Sequence, residues 1–285
     1  MKNIKFILFL FFYIYAFCGE LNSIADIITP KWLKSHYRDP HLVIIDVRNS
    51  SAYKKGHLKN ALNLPTFKYL FDVKNQYKMP KLNTLQKTFS NAGIDANSHI
   101  VVYGDNELIW AARFYWLAKV LGCNDVGLLS VGYGNWEKGY LPITKKIYKP
   151  KPTDFVPSIN NSIIETKLST LLAIGKDIII DGRPPKYYKG LKSHAKRFGH
   201  IPTALNYPGS GNYRVTSEGS TMKSMKKLKK LYHNLPKDKK IILYCEDGAD
   251  AAMNFLVLKK LGYKVSVYDG SWLEWGNDLN LPIEK

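Results

Sequence analysis

Cysteine is scarce in this chain, three among 285 residues, and one of them stands where a thiol could do chemistry. The segment Tyr244-Cys245-Glu246-Asp247-Gly248-Ala249-Asp250-Ala251-Ala252 puts Cys245 directly after a short apolar run and just before a helical pattern. A tight strand-to-helix turn aims several backbone N–H groups inward, and such a nest stabilises an anion. The positive end of the following helix adds to this. The anion favoured here is a thiolate, the form of cysteine that acts as a nucleophile. Gly248 suits a turn whose backbone angles a side chain would obstruct. The same turn is acidic. Glu246 adjoins the thiol, Asp247 follows, and Asp250 closes the turn. A carboxylate roughly 5 Å away opposes a thiolate by about 3 kcal/mol at an effective dielectric near 20, less where water and salt screen it. The alternative for these acids is structural, with Asp250 capping a helix that begins at Ala251 and the others facing solvent. Cys123 follows Leu121-Gly122 at a helix-to-strand turn and reads as packing.

The elements that must hold this turn repeat along the chain. Ile44-Ile45-Asp46-Val47-Arg48 recurs as Ile179-Ile180-Asp181-Gly182-Arg183, and Gly56-His57 with its following residues recurs at Gly199-His200. Three further matches come in the same order, ending with Asn135-Trp136 against Glu274-Trp275. Five ordered matches mean a duplicated domain. Apolar runs at 43–47, 100–103 and 126–129 read as buried strands, and 106–121 reads as a helix stopped by Gly122. The second half answers with strands at 178–181, 241–244 and 264–268 and a helix from Ala249 to Leu261. Strands alternating with helices predict an α/β fold: two tandem domains, each a parallel sheet covered by helices on both faces. Ligands in such sheets sit at the carboxyl ends of the strands. Sliding the halves by 140 residues aligns Ala111-Ala112 with Ala251-Ala252 and sets Asp105 opposite Cys245, so the first domain is expected to be silent. The divisions are a leader at 1–18, a first domain at 19–144, a proline- and lysine-rich extended linker at 145–158, and a second, catalytic domain at 159–285.

The leader has its own logic. Lys2 and Lys5 precede an unbroken apolar run from 6 to 18 and the small residue Gly19, the pattern of a secretory signal peptide. The run is short for a membrane span. Export to the periplasm or medium is the expectation, with no stable membrane anchoring once the leader is cut. The net charge of +19 favours anionic partners in general. Its densest stretch, around Lys226, Lys227, Lys229 and Lys230, lies beside Leu228 and Leu231 and reads as the wet side of a helix, not a nucleic-acid patch. No metal-ligand spacing and no dinucleotide-type glycine loop occurs, so neither metal nor cofactor is implied.

Taken together, the two Asp-x-Arg segments, the two Gly-His segments, the Cys245 turn and Tyr268-Asp269-Gly270-Ser271-Trp272-Leu273-Glu274-Trp275-Gly276 resemble the tandem-domain rhodanese family, which holds thiosulfate and 3-mercaptopyruvate sulfurtransferases. The resemblance covers essentially the whole chain after the leader. It implies double displacement: the Cys245 thiolate takes a sulfur from a small donor, and the persulfide gives it to cyanide or a thiol. It further implies that Arg183 and Arg197 contact the donor, that Trp32 lies near the domain interface, and that Asp46 and His57 serve a proton relay. Repetition of Asp46 as Asp181, of His57 as His200, and of Arg48 as Arg183 equally suits structural duty in both domains.

The acidic turn departs from the family pattern. Thiosulfate-type members carry basic side chains after the cysteine, and mercaptopyruvate-type members a serine two positions on, where this chain has Asp247. The choice of donor therefore stays open, and a sulfur-carrying or binding protein with little turnover is the second reading. A phosphatase, the nearest chemical rival, needs an arginine at the end of the loop. Asp250 and Ala251 occupy those places.

Overall fold

The computed structural model of the chain describes residues 23–136, 142–217 and 219–285. The expected leader and the residues around Cys18 lie outside them. Each half builds a five-stranded, wholly parallel sheet. In the first the spatial order is Ile27–Ile28, Val126–Leu129, His99–Tyr103, Leu42–Asp46, Ala61–Asn63. In the second the equivalent order is Ile164–Glu165, Lys264–Tyr268, Lys240–Tyr244, Ile178–Asp181, Leu205–Asn206. Every residue of His99–Tyr103 is buried, without the alternation of a half-wet strand. Its sheet is covered on both faces, as parallel sheets are.

The domains are joined through their apolar helices. Ile109–Val120 and Ala249–Lys260 are buried around nearly their whole circumference, because each packs on its own sheet and against the other helix. Tyr115 and Phe255 meet there with ring centroids 6.4 Å apart. One continuous apolar core runs from Ile45 and Val102 of the first domain to Leu243 and Val267 of the second. The first helix begins at Ile109, later than the sequence pattern suggests, because a longer non-helical turn precedes it.

The 145–158 segment is extended, but it is strapped to the first domain. The Thr153 amide donates to the Ser90 carbonyl at 3.0 Å, and the Ser158 amide to that of Leu121 at 3.0 Å. Phe155 is buried against Phe89, with centroids 5.2 Å apart. The lysine-rich stretch forms the helix Met225–Leu231, with Leu228 inward and its lysines outward or at the rim. Trp272 and Trp275 are core residues.

Truncating a side chain between the two central helices removes packing that belongs to both domains. Phe255→Ala is expected to cost about 3–5 kcal/mol in denaturant unfolding, with both domains unfolding in one transition. Two separate transitions would show that the shared core is not what couples them.

Candidate active site

Both domains use the same device at the carboxyl end of the central strands. Asp46 accepts from the Arg48 amide at 2.9 Å, from its guanidinium at 2.7–3.1 Å, and from the Tyr103 hydroxyl at 2.6 Å. Asp181 repeats this with Arg183 and with Tyr244, whose hydroxyl lies 2.8 Å away. Each arginine also donates to a glycine carbonyl, Gly56 or Gly199, and stacks on an aromatic ring, Tyr133 or Trp272. A buried carboxylate paired this fully is a backbone anchor.

The device fixes the register between the halves and corrects the sequence alignment. Tyr103 corresponds to Tyr244. The Tyr133 amide donates to Gly104 as the Trp272 amide donates to Cys245. Gly104, not Asp105, therefore stands where Cys245 does. The helices match at an offset of 140 residues and the preceding strands at 141, because the silent turn carries one extra residue.

Four residues, Cys245 to Gly248, connect the strand Lys240–Tyr244 to the helix Ala249–Lys260. Gly248 is the N-cap at φ 92°, so Asp250 lies in the first turn of the helix and does not cap it. The Gly248 amide donates to the Cys245 sulfur at 3.1 Å, and the backbone amides of Asp247 and Ala251 also favour negative charge there. The Cys245 amide donates to Ser271 Oγ at 3.2 Å, and Ser271 holds a left-handed backbone at φ 49° to reach it. The expected nest is present.

Its surroundings differ from expectation. Cys245 has 0% exposure, and burial, then Asp247 and Asp250, pushes its thiol well above the ordinary range. The thiol lies 3.9 Å from Asp247 Oδ1, which also accepts from the Ala249 amide at 3.1 Å. The acids do not simply face water. Burial raises the carboxyls of Glu246 and Asp247, and that of Asp250 is pushed up to about 8 by burial, then by Asp247 and Glu107. Asp250 packs on Gly209, where an added Cβ would lie 2.5 Å from its Oδ1.

The other sequence candidates are dispersed. Arg183 sits beside the turn, but Asp181 and Gly199 take its Nε and Nη2. Its Nη1 is buried, without a hydrogen-bond partner among the described residues, 3.6 Å from Glu246 Oε2. Arg197 is not placed to bind a donor, since its guanidinium clamps the carbonyls of Trp275, Gly276, Asp278 and Leu281. Trp32 stacks on His36 at 4.1 Å in the helix Pro30–His36 and, among the described residues, shares no hydrogen bond or ring contact with the Cys245 turn. His57 stacks on Tyr53, and its two ring nitrogens face the carbonyls of Tyr53 and Lys146 at 2.8 and 3.2 Å. His200 stacks on Tyr188 in the same way. Asp46 and His57 share no hydrogen bond with each other or with Cys245, so no relay through them is assembled. Cys123 is half-buried, and burial pushes its thiol up to about 12.

Three residues at the turn carried no role in the sequence reading: Ser271, Asp269 and Arg113. Arg113 had a signal, a single charge inside the apolar run Ile109-Trp110-Ala111-Ala112-Arg113-Phe114-Tyr115-Trp116. Among the described residues no group of acidic, histidine and cysteine side chains is placed to hold a metal ion.

The rhodanese-like domain model matches residues 29–139 and 165–278. A protein of Mycolicibacterium smegmatis, by its provisional name a thiosulfate sulfurtransferase, is 31% identical over 274 residues, 90% of this chain and 97% of its own length. The sulfur carrier protein TtuD of Thermus thermophilus is 31% identical over 278 residues, 91% of this chain and 96% of that one. Among solved structures, SseA from Escherichia coli, described under the rhodanese fold and catalytic mechanism of 3-mercaptopyruvate sulfotransferases, superimposes with a TM-score of 0.77 at 26% identity, covering 87% of this chain and 99% of that one.

The Asp250 carboxyl gives the site a pH signature. It holds its proton to about pH 8 when folded, whereas in the unfolded chain it releases it near pH 3.9. Ionising it in place therefore costs stability progressively as pH rises through that window. Asp250→Asn is expected to melt higher than the parent at pH 8, by at least about 2 °C, with the gap widening from pH 4 to 8 and flat above. A gap that is constant with pH would contradict the assignment.

Proposed function

The chain belongs to the rhodanese family of sulfurtransferases, and on that premise we propose that Cys245 carries the transferred sulfur, taken from a small donor of the thiosulfate or 3-mercaptopyruvate class and passed to cyanide or a thiol. One observation carries the reading: the Cys245 sulfur accepts the Gly248 amide at 3.1 Å at the end of a parallel strand and the start of a helix. Those amides stabilise negative sulfur. In the first half-reaction the Cys245 sulfur attacks the donor's outer sulfur, and the donor's remainder leaves with the electron pair of the broken bond. In the second the acceptor attacks the terminal sulfur of the persulfide, and Cys245 regains its electron pair. With His57 held by the first domain, Asp247, 3.9 Å from the thiol, is the group placed to receive its proton.

The acidic surroundings bear on the donor. Asp247 as a carboxylate opposes nearby negative charge, and a dianion such as thiosulfate meets that repulsion twice over. This favours a singly charged donor of the mercaptopyruvate type. The buried sulfur also requires its surroundings to move before a donor reaches it. Slow exchange of sulfur is the behaviour of a carrier, and the likeness to the sulfur carrier of Thermus thermophilus supports that second reading.

Thiocyanate formation from cyanide separates the two. The enzyme reading expects turnover with mercaptopyruvate, with kcat/KM at least about tenfold above that for thiosulfate, a difference of about 1.4 kcal/mol, and no product from Cys245→Ala. A single equivalent of thiocyanate per chain, with no further turnover, would leave the carrier reading in its place.

A further inference from the structure

We propose that Arg113, supplied by the silent first domain, is a positioning residue for sulfur transfer: it braces the Gly248 amide against the Cys245 sulfur and offsets the charge of the acidic turn. This rests on the reading of Cys245 as the sulfur carrier. Arg113 is wholly buried on the helix Ile109–Val120. Phe71 and Trp116 flank its guanidinium, with centroids 4.6 and 4.9 Å away. Nη1 donates to Asp269 Oδ1 at 2.6 Å, and Nε to the Leu70 carbonyl at 3.4 Å. The other oxygen of Asp269 accepts the Met79 amide at 2.7 Å.

The guanidinium also lies against the turn. A Cβ built on Gly248 would sit 2.6 Å from Arg113 Nη1, so the face of the residue that donates to the sulfur rests on the arginine. On the other side, Asp269 leads through Gly270 to Ser271, which accepts the Cys245 amide. Arg113 thus lies against Gly248 and is hydrogen-bonded to Asp269, two residues before Ser271. At the position matching it by the 140-residue helix offset, the second domain has Met253, so the arginine is not part of the duplicated frame. Its Nη2 is buried without a hydrogen-bond partner among the described residues. A buried charged donor left unpaired calls for an explanation, and the acidic turn beside it offers one.

Charged groups surround the sulfur from several elements. Its own turn presents Asp247 and Asp250, with Glu246 facing Arg183. The turn after Lys264–Tyr268 presents Asp269, and the first domain presents Glu107 toward Asp250 and Arg113 toward Asp247. Arg113 is the cation offsetting Asp247 and Asp269. Without it both acids oppose a negative sulfur.

The test is the pH midpoint of thiolate ultraviolet absorbance, read as the difference between each protein and its Cys245→Ala twin, in a Cys123→Ser background. Arg113→Met is expected to raise the midpoint by about one pH unit and to lower thiocyanate-forming kcat/KM at least about tenfold at pH 8. Arg113→Lys is expected to recover most of the midpoint shift. Asp269→Asn should move it the opposite way, since it removes an acid and leaves the arginine, and this variant carries the test if Arg113→Met does not fold. A Lys78→Met control breaks the Lys78–Glu274 interdomain pair and should leave the midpoint in place. Midpoints unmoved in the folded Arg113 and Asp269 variants, beside normal persulfide formation in the parent, would overturn the role of Arg113 alone. Failure of the parent to form a persulfide would overturn the reading of Cys245, and this inference with it.

Discussion

On the proposed role of Cys245, a sulfur atom buried among carboxyls has to be kept chemically usable by the backbone around it, and that constraint governs how the turn is built. Burial and the charges of Asp247 and Asp250 work against a negative Cys245. The Gly248 amide at 3.1 Å and its neighbours work for it. Neither side can be shifted far without moving the other, because the connection Cys245 to Gly248 and the first turn of the helix after it supply both the amides and the acids. Its shape depends on a left-handed glycine before the helix and a left-handed Ser271 beside the cysteine. A turn held in such backbone regions persists only where its surroundings over-determine it.

Those surroundings come from two domains. The second supplies the strand, the helix and the Asp181–Arg183 anchor. The first, which lacks a thiol at the matching place, supplies the apolar helix Ile109–Val120 that closes the core and, on it, Arg113, which pairs with Asp269 of the second. The duplicated chain has not left one copy idle. One copy lays Arg113 against the other's cysteine turn, and the two share one apolar core.

Much of this was written in the sequence. Repeated Asp-x-Arg and Gly-His segments and alternating β-branched and helical runs specify two parallel sheets, because those patterns reflect local backbone preference and burial. The strand-turn-helix around Cys245 is legible for the same reason. What the sequence hid depends on distance through space. Aligning the halves on their paired alanines conceals an extra residue in the silent turn, and so puts Asp105 where Gly104 stands. Arg197 stands just ahead of the repeated Gly-His segment, yet its guanidinium is taken up by the carbonyls of Trp275, Gly276, Asp278 and Leu281. The full burial of Cys245 cannot be read from its neighbours in sequence, because burial depends on segments that only the fold brings together.

The most direct measurement is mass spectrometry of the intact protein and its proteolytic peptides after exposure to a sulfur donor and removal of excess. The account predicts the mass of one added sulfur atom on the peptide that contains Cys245, erased by a reducing thiol. An unmodified Cys245 peptide, or added sulfur found only on Cys123, would contradict it.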